Sequence, residues 1–212
     1  KLVEQDGPLS VVESCDLIRQ ASLGLQYLHE KALVHRDVKP SNLMRTSSGQ
    51  LKVIDLGLAR QQSRSGGDGS LTQAGSCLGT PDYLAPEQIE DSTGVDGRAD
   101  LYGLGGTFFF LLTGRAPFAD QKSMQDKLQA HLVMPVPDVR KNRPDIPRSV
   151  VDVIQRLLAK RPEDRISSAQ ELNDHLKVVL EQLPHRGQTT VSYVGRRTKP
   201  TPGSRPRRSV IL

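Results

Sequence analysis

Between Val11 and Leu28 the apolar positions recur at helical spacing: Val11, Cys15, Ile18, Ser22, Leu25 and Leu28 share one mostly apolar face. Ser10-Val11-Val12-Glu13 opens that stretch as a capping box, so a helix is predicted to run to about Lys31. The pattern then shortens. Leu33-Val34, Leu43-Met44 and Leu51-Lys52-Val53-Ile54 are strand-like runs, and Ser47-Ser48-Gly49 supplies a hairpin turn between the last two. Gln61 to Ser70 is rich in Gly and Ser and has no period, which predicts a mobile loop. Arg98 to Leu112 is almost wholly apolar after Asp100, the pattern of a helix buried on all sides. Its run Phe108-Phe109-Phe110-Leu111-Leu112 is too short to span a bilayer and belongs in a protein core. Val150, Val151, Ile154, Leu157 and Leu158 mark an amphipathic helix, and Ser168-Ala169-Gln170-Glu171 caps a last one ending near Leu183. The predicted body is therefore mainly α with short β-hairpins in its N-terminal third.

Composition narrows this picture. The 212 residues suffice for one domain plus a tail, and a hydrophobic fraction of 36% suffices for a core. Trp is absent and aromatics make up 4%, so aliphatic side chains must fill most of that core. No apolar run reaches bilayer length, and Lys1 to Pro8 has no signal-peptide character. Cys15 and Cys77 lie far apart without metal-ligand spacing, as free thiols do in a reducing compartment, with cytoplasm the natural location.

The net charge of +5 is unevenly distributed. Residues 184–212 hold Arg186, Arg196, Arg197, Lys199, Arg205, Arg207 and Arg208 and no acidic residue; without those seven charges the body carries about −2. The body is thus not a basic nucleic-acid-binding domain. The same segment contains Pro184, Pro200, Pro202 and Pro206 among Gly, Ser and Thr. It cannot bury enough apolar surface to offset its ordering entropy, and it is predicted to be a disordered tail or linker following a domain of residues 1–183. Arg205 to Arg208 leading into Ser209-Val210-Ile211-Leu212 also suits a juxtamembrane segment with an anchor beyond Leu212.

Chemistry concentrates between the predicted strands. His35-Arg36-Asp37-Val38-Lys39-Pro40-Ser41-Asn42 lies between two of them, and Asp55-Leu56-Gly57 begins thirteen residues after Asn42. Two carboxylates, an amide and a lysine on adjacent loops suit phosphoryl transfer. Oxygen ligands hold Mg²⁺, an ammonium balances phosphate charge, and a carboxylate accepts a hydroxyl proton.

The order His-Arg-Asp-x-x-x-x-Asn, then Asp-Leu-Gly, then Ala85-Pro86-Glu87 resembles the protein-kinase signature set. Gly79-Thr80-Pro81-Asp82-Tyr83, Asp100 at the head of the buried helix, and Arg165 within Pro162-Glu163-Asp164-Arg165-Ile166 extend the resemblance over roughly residues 1 to 182. Lys39 with Gly79-Thr80 is similar to serine/threonine rather than tyrosine kinases. Ala85-Pro86-Glu87-Gln88 and Leu158-Ala159-Lys160-Arg161-Pro162 are in the style of bacterial members of the eukaryotic-type family.

The resemblance implies a kinase-like fold, C-lobe only, with ATP and Mg²⁺ (or Mn²⁺) as cofactors and a protein Ser/Thr acceptor as partner. Asp37 would orient the acceptor hydroxyl and take its proton, and Lys39 would neutralise charge on the moving phosphate. Asn42 and Asp55 would ligate Mg²⁺, and Met44 would floor the adenine site. Thr80 would bond the catalytic loop and favour Ser or Thr acceptors. Arg36 would pair with a phosphate on the activation loop, where Thr72 is the first candidate and Ser76 the second. His35, Glu87, Asp100 and Arg165 would be structural: His35 as a packed position, Glu87 with Arg165 as a buried ion pair, and Asp100 as acceptor for the catalytic-loop backbone.

Two departures stand out. Leu56 replaces the commoner Phe, a conservative apolar change. More consequential, the 34 residues before His35 contain no Gly-rich loop, no strand lysine and no partner glutamate to clamp the phosphates. The sequence therefore predicts a C-terminal lobe with the N-lobe absent, inactive by itself. A truncated, non-catalytic kinase-like interaction module is the main alternative. A small-molecule phosphotransferase shares the acidic spacing but not Ala85-Pro86-Glu87 or Gly79-Thr80-Pro81-x-Tyr83, segments that shape a protein-substrate groove.

Overall fold

The computed structural model describes Val3 and residues 7–56, 81–91, 94–183 and 210–211. Helix α1 (Val11–Glu30) starts where Ser10 Oγ accepts the Glu13 amide at 3.2 Å. Cys15, Leu17, Ile18, Ala21 and Leu25 on one side of it are buried, and that side packs against the last helix, the central helix and the second strand. Burial pushes the Cys15 thiol up to about 12, so it stays protonated and behaves as a small apolar side chain.

After α1 the chain turns sharply at Ala32, which has a φ of 55°. Leu33 and Val34, predicted as a strand, instead run irregularly. Their place explains this: the Leu33 amide closes the helix onto Leu28 O at 3.0 Å, and the two amides after Val34, of His35 and Arg36, are taken by a carboxylate from another helix. No described strand lies alongside them. Strands β1 (Leu43–Arg45) and β2 (Leu51–Val53) do form an antiparallel hairpin, with Leu43 opposite Val53 and Arg45 opposite Leu51. Its turn closes by Thr46 N to Gln50 O at 2.8 Å and passes through Gly49 at a φ of 86°, a conformation open to glycine.

Helix α2 (Pro86–Glu90) is a short helix with proline at its first position, and α3 (Gly97–Thr113) is the centre of the molecule. Asp96 caps α3 through Arg98 N at 2.9 Å, and Gly114 ends it in the left-handed conformation. Leu101, Tyr102, Leu104, Phe108, Leu111 and Leu112 are fully buried and lie around the whole circumference, as the unbroken apolar run predicts. Gly103 lets α3 approach the catalytic loop, because a Cβ there would stand 2.6 Å from Val38 O.

Helix α4 (Met124–Val133), which the hydropathy pattern does not announce, buries only Ala130 and His131 and packs on α2 and the turn Pro81–Tyr83. Helices α5 (Arg148–Leu157) and α6 (Ala169–Gln182) complete the core, α6 capped by Ser168 Oγ through Glu171 N at 3.1 Å. Among the described residues no helix is long and apolar enough to cross a membrane. The basic segment reads in sequence as a linker or a juxtamembrane stretch and announces no strand, yet Val210–Ile211 form a strand β3, antiparallel to β1, giving a sheet of order β2-β1-β3. Two β-branched residues meeting an edge with unpaired amides and carbonyls account for the pairing.

Candidate active site

The site is built where the chain crosses α3 on leaving α1. Asp100, in the first turn of α3, is 1% exposed and takes three donors: His35 N at 2.8 Å, Arg36 N at 2.7 Å and His29 Nε2 at 2.8 Å. A buried carboxylate must be satisfied by hydrogen bonds, and here two of them come from consecutive peptide groups. They fix the start of the catalytic loop to the most buried helix of the fold. Arg36 sits at a φ of 65°, left-handed and rare for a residue with a side chain, so the loop bends abruptly just before Asp37.

Asp37 projects from that bend. Its Oδ2 meets Lys39 Nζ at 2.9 Å and Asn42 Nδ2 at 3.0 Å, while Nδ2 also donates to the Asp37 carbonyl at 2.8 Å. Asn42 ends a single turn begun by Pro40, which curls the chain so that both ends of the segment face one another. Because its NH₂ is committed to Asp37, the Asn42 Oδ1 is left as an acceptor for something else, with Ser41 Oγ at 3.4 Å.

The second acidic loop is tied to the first by its backbone. Ile54 N donates to Asn42 O at 2.9 Å, and His35 Nε2 lies 3.0 Å from Ile54 O. His35 Nδ1 receives the Asp37 amide at 3.3 Å. The carbonyl requires a donor and the amide an acceptor, which sets the proton on Nε2. One fully buried imidazole thus spans the two loops and fixes Asp55 relative to Asp37. Asp55 follows at a φ of 57° and is exposed. Met44, on β1 just beyond Asn42, is half-buried opposite Lys52.

Glu87 and Arg165 form a two-pronged pair with N–O distances of 2.6 and 2.7 Å. Arg165 also donates to the carbonyls of Ala159 at 2.8 Å, Arg98 at 3.0 Å and Lys160 at 2.8 Å, and its guanidinium lies over the Tyr102 ring at 4.9 Å. All five of its N–H groups are used, the condition for keeping a charge buried. Nearby, Tyr102 Oη meets His131 Nδ1 at 2.8 Å, and Lys127 pairs with Asp82 at 2.6 Å. Burial pushes the His131 imidazole down to about 4, and Lys160 pushes it the same way. Burial lowers Lys160 itself to about 8, helped by Arg165.

Asp37, Lys39 and Asn42 are thereby brought together, and Asp55 follows Ile54, whose backbone is tied to Asn42 and His35. Thr72, Ser76, Cys77 and Thr80, together with the Gln61 to Ser70 loop, lie outside the described residues. Two contributors escape sequence reasoning. His29 reads only as the end of a helix, and Gln88 only as one more residue after Ala85-Pro86-Glu87. Gln88 in fact donates to Arg36 O at 2.9 Å and accepts from Ala85 N at 3.1 Å. No local signal announces the bonds to Asp100 and Arg36, since those partners lie 71 and 52 positions away.

The protein kinase domain model matches residues 1–176. Among curated proteins the chain is 35% identical over 184 residues to the serine/threonine-protein kinase PknB of Mycolicibacterium smegmatis, covering 86% of this chain and 29% of that protein. It is 39% identical over 181 residues to the serine/threonine-protein kinase Pkn1 of Myxococcus xanthus (82% and 25%), and 31% identical over 179 residues to PrkC of Bacillus subtilis (84% and 27%). The chain thus spans between a quarter and a third of the length of these relatives. With the match running from α1 through the loop of residues 35–42 and into α6, the chain belongs to the protein kinase family, and by family it is of the serine/threonine type.

Proposed function

We propose that residues 1–183 form the catalytic-loop lobe of a serine/threonine kinase, which helps transfer the γ-phosphoryl group of ATP to a Ser or Thr hydroxyl of a protein. One observation carries the reading: the Asp37 carboxylate is held by both Lys39 and Asn42, while His35 and the Asn42 carbonyl lock the chain that presents Asp55.

The donor set suits a magnesium ion. Asn42 Oδ1 and the Asp55 carboxylate are hard oxygen ligands, and among the described residues no cluster of three His, Cys, Asp or Glu forms an all-protein cage. Mg²⁺ is commonly held by one or two carboxylates together with substrate phosphates, so this sparse set fits. Asn42 and Asp55 would hold the ion, which would supply positive charge to offset that of the phosphates. Met44 supplies an apolar floor for the base.

For the transfer itself, the acceptor hydroxyl hydrogen-bonds to Asp37. As its oxygen forms a bond to the γ-phosphorus, the bond from that phosphorus to the β-phosphate bridging oxygen breaks, and the hydroxyl proton passes to the carboxylate. Lys39 is already at Asp37 and offsets the negative charge of the moving group. Arg36 serves as the partner of an activating phosphate on Thr72 or Ser76, and Thr80 favours hydroxyl acceptors. The domain works in the cytoplasm, consistent with the buried free thiol of Cys15. Residues 184–212 act as a basic tail that can lead towards a membrane anchor.

The 212 residues contain no Gly-rich loop or paired lysine and glutamate, so by themselves they are expected to be inactive. Preorganised charge contacts of that kind are each worth roughly 10²–10³ in rate. The test is transfer of label from γ-labelled Mg-ATP to a generic acceptor protein by the full-length gene product, by its Asp37→Asn variant and by the 212-residue chain. Only the unmodified gene product should label Ser or Thr efficiently. Equal labelling by Asp37→Asn, or none by the gene product, overturns the reading.

A further inference from the structure

We infer that Gln88 is a positioning residue, whose side-chain amide locks the Arg36–Asp37 peptide and so aims Asp37; this rests on the phosphoryl-transfer reading above. The residue stands in the first turn of α2, yet it reaches out of that helix. Its Nε2 donates to Arg36 O at 2.9 Å while its Oε1 accepts from Ala85 N at 3.1 Å. Only one orientation of the amide satisfies both, because a carbonyl needs a donor and a backbone N–H an acceptor.

The peptide it grips is the least comfortable in the loop. Arg36 lies at a φ of 65°, where side chains crowd the backbone, so the segment holds this shape only if its surroundings enforce it. The other end of the same peptide, Asp37 N, has a long bond of 3.3 Å to His35 Nδ1. Asp100 restrains the two preceding amides and not this peptide. The Gln88 bond is therefore the shorter restraint on the unit from which the Asp37 side chain departs. Rotating that unit would carry the carboxylate away from Lys39 and Asn42.

Gln88 also joins two parts of the site. Ala85 and Glu87 flank the start of α2, and Glu87 is welded to Arg165. Through one side chain that anchored end of the segment 81–87 is tied to the carbonyl beside Asp37. Half-buried and bonded to Arg36 O and Ala85 N, Gln88 acts on the reaction through Arg36 and Asp37.

Two substitutions separate this role from helix capping. Gln88→Glu keeps an acceptor for Ala85 N and adds a negative charge at a helix N-terminus, which favours α2, but it removes the donor to Arg36 O. Gln88→Leu removes both bonds. The experiment uses the full-length gene product with kcat, KM for ATP, thermal midpoint and amide hydrogen exchange over residues 34–42. Both variants are expected to lose about 10- to 100-fold in kcat, the scale of a roughly 1 Å misplacement of a catalytic group, with KM for ATP within about twofold. Gln88→Glu is expected to keep the parental thermal midpoint, and both should exchange faster over 34–42. A Gln88→Glu variant with parental kcat, or with parental exchange over that segment, overturns the inference. If the parent shows no phosphoryl transfer, the function reading fails separately, and faster or unchanged exchange still decides whether Gln88 locks the loop.

Discussion

Two cation–carboxylate pairs lie in this molecule and have opposite characters. Asp37–Lys39 is a single contact of 2.9 Å between side chains that are each 18% exposed. Glu87–Arg165 is two-pronged, the arginine side chain is wholly buried, and three backbone carbonyls complete its hydrogen bonding. A half-buried pair joined by one contact can exchange its partner for a phosphate or a hydroxyl at smaller cost, whereas Arg165 cannot lose Glu87 without stranding a wholly buried charge. Both pairs concern the same reaction in the proposed reading, yet one is machinery and the other is frame.

The largest expected effect separates them outright. Asp37→Asn should lower transfer by the full-length gene product by about 10²- to 10⁴-fold, the usual worth of a positioned base, while its denaturation midpoint stays close to the parent's. Loss of folding in that variant would erase the contrast. Glu87→Ala should do the reverse, destabilising the fold by about 3–5 kcal/mol through the unpaired Arg165, as urea titration can read. A Glu87→Ala protein of parental stability would place the frame elsewhere.

A smaller effect comes from pH. Burial holds the folded-state His131 imidazole down at about 4, against an ordinary value of 6.5, with Lys160 and Lys127 pushing the same way and Asp82 opposing. Its folded pKa is depressed, so the unfolded chain binds the proton first. The stability it contributes is full above pH 6.5 and is lost as pH falls from there towards 4, by up to about 3 kcal/mol. Midpoints measured at steps between pH 7.5 and 4.5 should fall, and His131→Phe should flatten that fall. Least of all, Ser168→Ala removes one capping bond from α6 and should cost about 1 kcal/mol without touching kcat. A larger loss would mean that the N-terminus of α6 supports the frame.

The sequence carries the parts of this protein whose causes are local. Ser10, Asp96 and Ser168 stand at helix starts because a side-chain oxygen there meets an amide two or three positions on. The almost wholly apolar run after Asp100 has the pattern of a helix with protein on every side. Asp37, Lys39, Asn42 and Asp55 are legible as a set because the chemistry they suit needs those groups at short separations along the chain. Helix α4 is not legible, since its apolar positions are diluted by polar ones and only Ala130 and His131 are covered.

Tertiary structure decided what depends on distant partners. Leu33-Val34 has strand composition, but its surroundings assign its neighbouring amides to Leu28 and Asp100 instead of a ladder. Val210–Ile211 gains a strand because β1 offers an edge. His29 and Gln88 acquire their places only when α3 and the catalytic loop are packed beside them. Periodicity and capping report on forces acting within a few residues. A hydrogen bond spanning 52 or 71 positions exists only once the core has brought its ends together, and for that reason the sequence alone names the proposed reacting groups but not the residues packed behind them.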